Sequence, residues 1–234
     1  MKHTFLFAIL LLALGACQKE PEEIIEPEYK DWYMLKAPDG RAIQAVYGDI
    51  DGPLIITTGF EIYQTKDRGK TWRTAIYPSN LGLTGFIRQQ DTLLALNAQR
   101  GTAFDSTTAH AVNPGYFSLD EGATWRPIRN AAYSQSRVAI NRVMSTSGTE
   151  YSIDYFLTPI SPNSSSSYVE TVGIKTATGR VLTLPQDHQI NSLYLDTKSR
   201  LYVAGSAALC GRRDKFAYCG LPNGILYVSK IPQP

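Results

Sequence analysis

The chain has 234 residues, of which 43% are hydrophobic and 19% charged, and its formal net charge is +2. That length supports a sizeable core, and the composition excludes collagen-like, disulfide-dense and wholly disordered classes. No second long apolar run follows the first twenty residues, which excludes a polytopic helical membrane protein.

The first element is an address. Lys2 gives a positive start, Thr4 to Leu14 is almost wholly apolar, and Gly15 and Ala16 lead to Cys17. The run is too short to span a bilayer and suits a secretory signal. Leu14-Gly15-Ala16-Cys17 resembles the lipobox of bacterial lipoproteins, in which the cysteine is lipidated and becomes the first mature residue. Residues 1–16 are therefore expected to be a lipoprotein signal peptide, with Cys17 lipidated. Residues 17–30 carry Glu20, Glu22, Glu23, Glu26 and Glu28 with Pro21 and Pro27. This acidic, proline-broken stretch has no packing pattern and reads as a disordered tether. Its start, Cys-Gln-Lys-Glu, resembles the export signal of surface lipoproteins. The resemblance implies a lipid anchor in the outer membrane, with the protein facing outward. Without Lys2, Lys19 and the five tether glutamates, the body carries 21 Lys+Arg against 16 Asp+Glu, about +5. These charges are dispersed, so nucleic acid is not an expected partner.

The body, residues 31–234, is expected to be one all-β domain. Short alternating runs such as IQAVYGD, LIITTG, TLLALNA and GILYVSKI are separated by turn residues. Thr65-Lys66-Asp67-Arg68-Gly69-Lys70-Thr71-Trp72 recurs as Ser118-Leu119-Asp120-Glu121-Gly122-Ala123-Thr124-Trp125. The pattern, Ser/Thr-x-Asp-x-Gly-x-Thr-Trp, resembles the Asp-box, or BNR repeat, of sialidase-type β-propellers. In such a turn the carboxylate accepts backbone N–H bonds, glycine takes the left-handed conformation, and the tryptophan buries its ring. Asp67, Gly69, Trp72, Asp120, Gly122 and Trp125 are thus expected to be structural. Lys175 to Arg180 occupies the same place in a third unit, without the Asp or the Trp.

The strands align as four units, Ile43–Tyr77, Leu83–Ile128, Val138–Leu184 and Ile190–Ile231, with third strands starting near Phe60, Gly115, Glu170 and Gly224. The fourth unit has three strands, Ile190–Leu195, Leu201–Ala204 and Ile225–Lys230. Asp31 to Lys36 reads as the missing strand, able to pair with Ile225–Lys230 and close the ring. The expected fold is a β-propeller of four blades with four antiparallel strands each; five shorter blades are the alternative.

Second-to-third connections are expected to be long loops on one face, at Ala98–Pro114, Pro159–Tyr168 and Ser206–Asn223, with 130–137 beside them. Long loops on a rigid scaffold commonly carry binding. Cys210 and Cys219, in an exported chain, are expected to form a disulfide, worth roughly 2–3 kcal/mol in the chain-entropy model. Arg212, Arg213, Lys215, Phe216 and Tyr218 lie inside its loop, and Arg100 and Tyr133 fall on the same face. These seven are the candidate partner-binding residues. Two cysteines without further His or Cys ligands do not complete a zinc site, so no metal or cofactor is expected.

The sialidase resemblance implies an arginine triad, a Tyr–Glu nucleophile pair and an Asp acid/base, yet the Arg-Ile-Pro-type motif of those enzymes is missing here. The expected function is therefore a non-catalytic lipoprotein whose propeller top binds a protein, as an accessory subunit of an envelope complex. A glycan-binding protein or a sialidase-like glycosidase is the alternative.

Overall fold

The computed structural model describes residues 28–101, 108–129 and 131–233. Cys17, the signal peptide and all but the last residues of the tether lie outside them. The chain forms a four-bladed β-propeller. Blade 1 is β2 (Ala45–Gly48), β3 (Leu54–Thr57), β4 (Ile62–Thr65) and β5 (Arg73–Thr74). Blade 2 is β6 (Gly85–Gln89), β7 (Thr92–Arg100) and β8 (His110–Ser118), with β9 (Arg126–Pro127) and β10 (Val138–Ala139) both pairing on β8. Blade 3 is β11 (Arg142–Met144), β12 (Glu150–Pro159), β13 (Ser167–Thr176) and β14 (Val181–Leu182). Blade 4 is β15 (Ile190–Leu195), β16 (Leu201–Gly205), β19 (Ile225–Ser229) and β1 (Trp32–Lys36). A small hairpin, β17 (Leu209–Gly211) with β18 (Ala217–Tyr218), sits between β16 and β19.

The N-terminal strand closes the ring. β1 runs antiparallel to β19, from Trp32 opposite Ser229 to Lys36 opposite Ile225. This pairing covers the edge that β19 would otherwise expose. It also fixes direction. The chain enters at the end where the Gln233 amide donates to the Ser199 carbonyl at 2.7 Å, here called the bottom. The β16-to-β19 connection lies at the opposite end, the top.

Burial follows the contacts between blades. Leu35, Ile43, Val46, Leu54, Tyr202 and Leu226 pack blade 4 on blade 1. Ile55, Ile62, Phe86, Leu93 and Trp125 join blades 1 and 2, and Tyr151, Ile153, Ile174, Leu193 and Tyr227 join blades 3 and 4. Each large side chain so buried stabilises by about 1.5–3 kcal/mol. The contact between blades 2 and 3 is smaller: Leu96, Ala109, Ala111 and Ile140.

That last cluster corrects the expected loop at Ala98–Pro114. β7 runs to Arg100 and β8 starts at His110, so Arg100 pairs with His110 in a strand ladder. The return strand is drawn inward because Ala109 and Ala111 are small enough to enter the gap between blades. The Ala109 amide donates to Asn141 Oδ1 at 2.9 Å, and the Ile140 amide donates to the Ala109 carbonyl at 2.9 Å. Gly85 makes room, since a Cβ there would lie 2.4 Å from the Ala111 Cβ. The expected loop at Pro159–Tyr168 is present at 160–166, at the tip of a hairpin whose strands pair from Tyr151–Thr176 out to Pro159–Ser167. Hence β8 and β13 begin at residues 110 and 167, ahead of the expected 115 and 170.

The two repeated turns, both at the bottom, share one hydrogen-bond scheme. The Thr65 hydroxyl donates to Asp67 at 2.8 Å and accepts from the Gly69 amide at 2.9 Å. The Thr71 amide and hydroxyl then donate to the two Asp67 oxygens at 2.9 and 2.6 Å. Ser118, Asp120, Gly122 and Thr124 repeat this at 2.8, 2.9, 2.9 and 2.7 Å. Gly69 and Gly122 take φ of +79° and +85°. In the third unit Thr178 stands where the Asp does, its hydroxyl 2.9 Å from Thr176 Oγ1, and the Arg180 amide donates to Thr176 Oγ1 at 3.1 Å as the Gly69 amide does to Thr65.

A bottom ion cluster ties blade 4 to blade 1. Arg200, with a side chain only 9% exposed, contacts Asp196 at 2.7 Å, Asp51 at 2.6 Å and also Asp49. Arg200 is the main reason the Asp51 carboxyl is lowered to about 2.

Candidate functional site

Two hairpins rise above the blades on the top face. The β7–β8 hairpin turns its return strand into the core. The β12–β13 hairpin stands out: Phe156, Leu157, Tyr168 and Val172 are exposed along it. Beside it the β17–β18 hairpin is closed by the Cys210–Cys219 disulfide. Phe216 is 58% exposed and Tyr218 is 40% exposed, their rings edge-to-face at 5.0 Å, and Leu221 follows at 80%. Alternation in an amphipathic hairpin normally leaves polar residues outside. Here large apolar side chains from two neighbouring hairpins occupy the solvent side together.

The two arginines of the disulfide loop do not stand as free cations. Arg213 donates to Glu170 Oε2 through Nε at 3.0 Å and Nη2 at 2.6 Å, and to Thr158 Oγ1 at 2.7 Å. Arg212 lies 3.6 Å from Glu170 Oε1 and 3.7 Å from Asp187, and donates to the Thr171 carbonyl at 3.2 Å. Glu170, whose side chain is 12% exposed, is thus held between two guanidinium groups. These contacts dock the disulfide hairpin onto blade 3. They also cap the free edge of β13, together with Gln189, which accepts from the Thr171 amide at 3.4 Å and donates to the Val169 carbonyl at 3.5 Å. Phe156, Glu170, Val172, Asp187, Arg212 and Arg213 line a cleft of about 430 Å³. Lys215 is exposed and makes no ion pair among the described residues.

Beneath this edge His188 is buried. Its Nδ1 lies 2.9 Å from the Ser206 carbonyl and its Nε2 lies 3.1 Å from the Tyr227 hydroxyl. Burial lowers its pKa, outweighing the backbone hydrogen bonds that favour the charged ring. The neutral ring serves as a core strut under the cleft.

The seven candidate residues therefore fall into two groups. Arg212, Arg213, Lys215, Phe216 and Tyr218 meet at blades 3 and 4. Arg100 and Tyr133 lie over blade 2, Tyr133 half-buried in the short helical turn Ala131–Tyr133. Sequence reasoning missed Glu170, Phe156 and Val172. The alternation Tyr168, Glu170, Val172 along one strand was the available signal. Among the described residues no group of three or more His, Cys, Asp or Glu is placed to hold a metal ion, and no helix is long and apolar enough to cross a membrane.

No family model matches the chain, and no curated protein matches it. Among solved structures it is similar to YCF48 from Cyanidioschyzon merolae, at 12% identity and a TM-score of 0.33 over 86% of this chain and 99% of that one. It is similar also to YCF48 bound to a D1 peptide, at 13% identity and a TM-score of 0.35 over 89% of this chain and 99% of that one. A streptogramin B lyase matches at 12% identity and a TM-score of 0.28, over 87% of this chain and 74% of that one. Likenesses this distant leave the function of the chain to its own side chains.

Proposed function

We propose that the chain is a non-catalytic lipoprotein, held in the outer membrane through lipid on Cys17 and facing outward. Its propeller top binds a protein partner as an accessory subunit of an envelope complex. The observation that carries this reading is the shared exposure of Phe156, Tyr168, Val172, Phe216 and Tyr218 on two adjoining hairpins. Contiguous apolar surface with aromatic anchors is the usual mark of a protein interface. The chain enters β1 at the bottom, the face opposite this surface, which supports a partner on the side away from an N-terminal anchor. Pairing of Arg212 and Arg213 with Glu170 and Asp187 favours an apolar-centred partner over a highly charged one. A glycosidase reading loses support from the same contact. Glu170 is one of the two carboxylates in the cleft and is engaged by two cations. We read the Thr65–Trp72 and Ser118–Trp125 turns as Asp-boxes that carry fold, since the oxygens of Asp67 and Asp120 bond inside their own turns.

The test is site-specific photo-crosslinking in intact cells. A photoreactive residue at Phe156 or Phe216 is expected to capture the same single protein, while one at Leu119, exposed at the bottom, captures none. Phe156→Ser with Phe216→Ser is expected to weaken co-purification about tenfold or more. Equal capture from both faces, or none from the top, would sink the reading. Cys17→Ser is expected to release the protein from the membrane fraction, which checks the anchor separately.

A further inference from the structure

A second cleft lies over blade 2, away from the apolar hairpins. It encloses about 720 Å³ between the end of the β7–β8 hairpin and the segment 134–137. Its walls are polar: Arg100, Arg137, Gln99, Gln135, Asn113 and Ser136. Both arginines are exposed, and neither makes an ion pair or side-chain hydrogen bond among the described residues. They differ in this from Arg212 and Arg213, which pair with Glu170 and Asp187. No acidic residue is found among the cleft's described lining. Two guanidinium groups that no described residue compensates, in one concavity, attract an anion, and their planar forks match the oxygens of a carboxylate or phosphate.

Ser136 supplies the second, independent observation. It is 6% exposed, and its Oγ is buried without a hydrogen-bond partner among the described residues. A buried hydroxyl left unpaired is destabilising, so such a group calls for an explanation. The segment that holds it is well tied. The Ser136 amide donates to the Tyr133 carbonyl at 2.9 Å, the Ser134 amide to the Ala131 carbonyl at 3.0 Å, and β10 pairs directly afterwards with β8. An unsatisfied group on a fixed backbone is what a site prepared for a ligand presents.

We propose that this cleft binds a small hydroxylated oxyanion, a sugar acid or a sugar phosphate. Arg100 and Arg137 take the anionic group, while Ser136 and the amides of Gln99 and Gln135 read the hydroxyls. The site is on a different blade from the apolar hairpins and does not depend on a protein partner.

The experiment is calorimetric titration of the purified full-length protein in detergent, with glucuronate, glucose 6-phosphate, glucose and inorganic phosphate as probes. Saturable binding of glucuronate or glucose 6-phosphate is expected, and whichever binds tells a carboxylate source from a phosphate source. Glucose is expected not to bind, and Arg100→Gln or Arg137→Gln to weaken the sugar anion about tenfold. Arg212→Gln, at the other cleft, is expected to leave the affinity unchanged. Ser136→Ala is expected to lower affinity while the unfolding temperature holds or rises, an outcome that a purely structural serine would not give. The proposal is overturned if neither sugar anion saturates at millimolar concentration, or if Arg100→Gln with Arg137→Gln leaves the affinity intact. Inorganic phosphate binding as tightly as the sugar anions would remove the hydroxyl-reading role.

Discussion

The turns at Thr65–Trp72 and Ser118–Trp125 have one pattern and one set of internal hydrogen bonds, yet their tryptophans meet different surroundings. Trp125 is 2% exposed, lies 5.7 Å from the Phe86 ring, and donates its indole N–H to the Gly122 carbonyl at 2.9 Å. The second turn is also latched to blade 1. The Ile76 amide donates to Ala123, the Trp125 amide donates back to Ile76, and Gln64 donates to the Glu121 carbonyl at 2.7 Å. Trp72 is only half-buried against the cluster of blades 4 and 1, and its buried indole N–H has no partner. A local motif therefore fixes the turn, while the neighbouring blade decides how much stability the turn contributes.

Substitution of the two rings is expected to separate the copies most strongly. Trp125→Ala should cost about 3–5 kcal/mol, as for other large rings removed from cores. Trp72→Ala should cost less than half of that. Phenylalanine sharpens the contrast. Trp125→Phe strands the Gly122 carbonyl and should cost about 1–3 kcal/mol. Trp72→Phe removes an unpaired buried donor and should fall within about 0.5 kcal/mol of wild type. Urea unfolding of the four variants measures this, and equal losses for Trp72→Ala and Trp125→Ala would erase the distinction.

The glycines are expected to behave alike. Alanine at Gly69 or Gly122 must take a left-handed conformation, at about 1–2 kcal/mol. Both also crowd a buried neighbour, Leu35 at 2.9 Å from the Gly69 position and Ile55 at 2.4 Å from the Gly122 position. Crowding at Gly69 reaches the base of Leu35, on the closing strand, whereas at Gly122 it meets the tip of Ile55. Gly69→Ala should therefore lower the unfolding midpoint at least as much as Gly122→Ala. A Gly69→Ala variant of wild-type stability would show that the closing strand yields freely.

The same split between local and neighbouring causes decides what could be read from the sequence. Four units, the closing strand at Trp32–Lys36 and the Cys210–Cys219 pairing were legible, because each rests on spacing or on compartment. The inward turn of β8 was not. Ala109 and Ala111 carry no signal until Gly85 and Ile140, from other strands, form the gap they fill. Glu170 was missed for a related reason, as it faces arginines 42 and 43 positions later in the chain. Ser136 became informative only when its hydroxyl was found buried and unpaired.

Acid should act on both turns, with the smallest effect of the series. The Thr71 hydroxyl first, then the Thr71 amide and the Thr65 hydroxyl, hold the Asp67 carboxyl at about 2 against an ordinary 3.8. For Asp120, burial works upward, but the bonds from Thr124 and Ser118 outweigh it and leave the carboxyl lowered. A folded-state pKa below the unfolded one means that the folded turn binds fewer protons. The stabilisation is then complete above about pH 4 and is lost as pH falls towards about 2. Asp67→Asn should flatten part of that fall, because the amide keeps an acceptor for the Thr71 amide but no longer titrates. Asp51, lowered by Arg200, continues to titrate in the same window, so some slope persists. Urea midpoints between pH 2 and pH 5 are the measurement. Parallel curves for wild type and Asp67→Asn would mean that the first turn contributes nothing to acid sensitivity, leaving that role to the second turn and the Arg200 cluster.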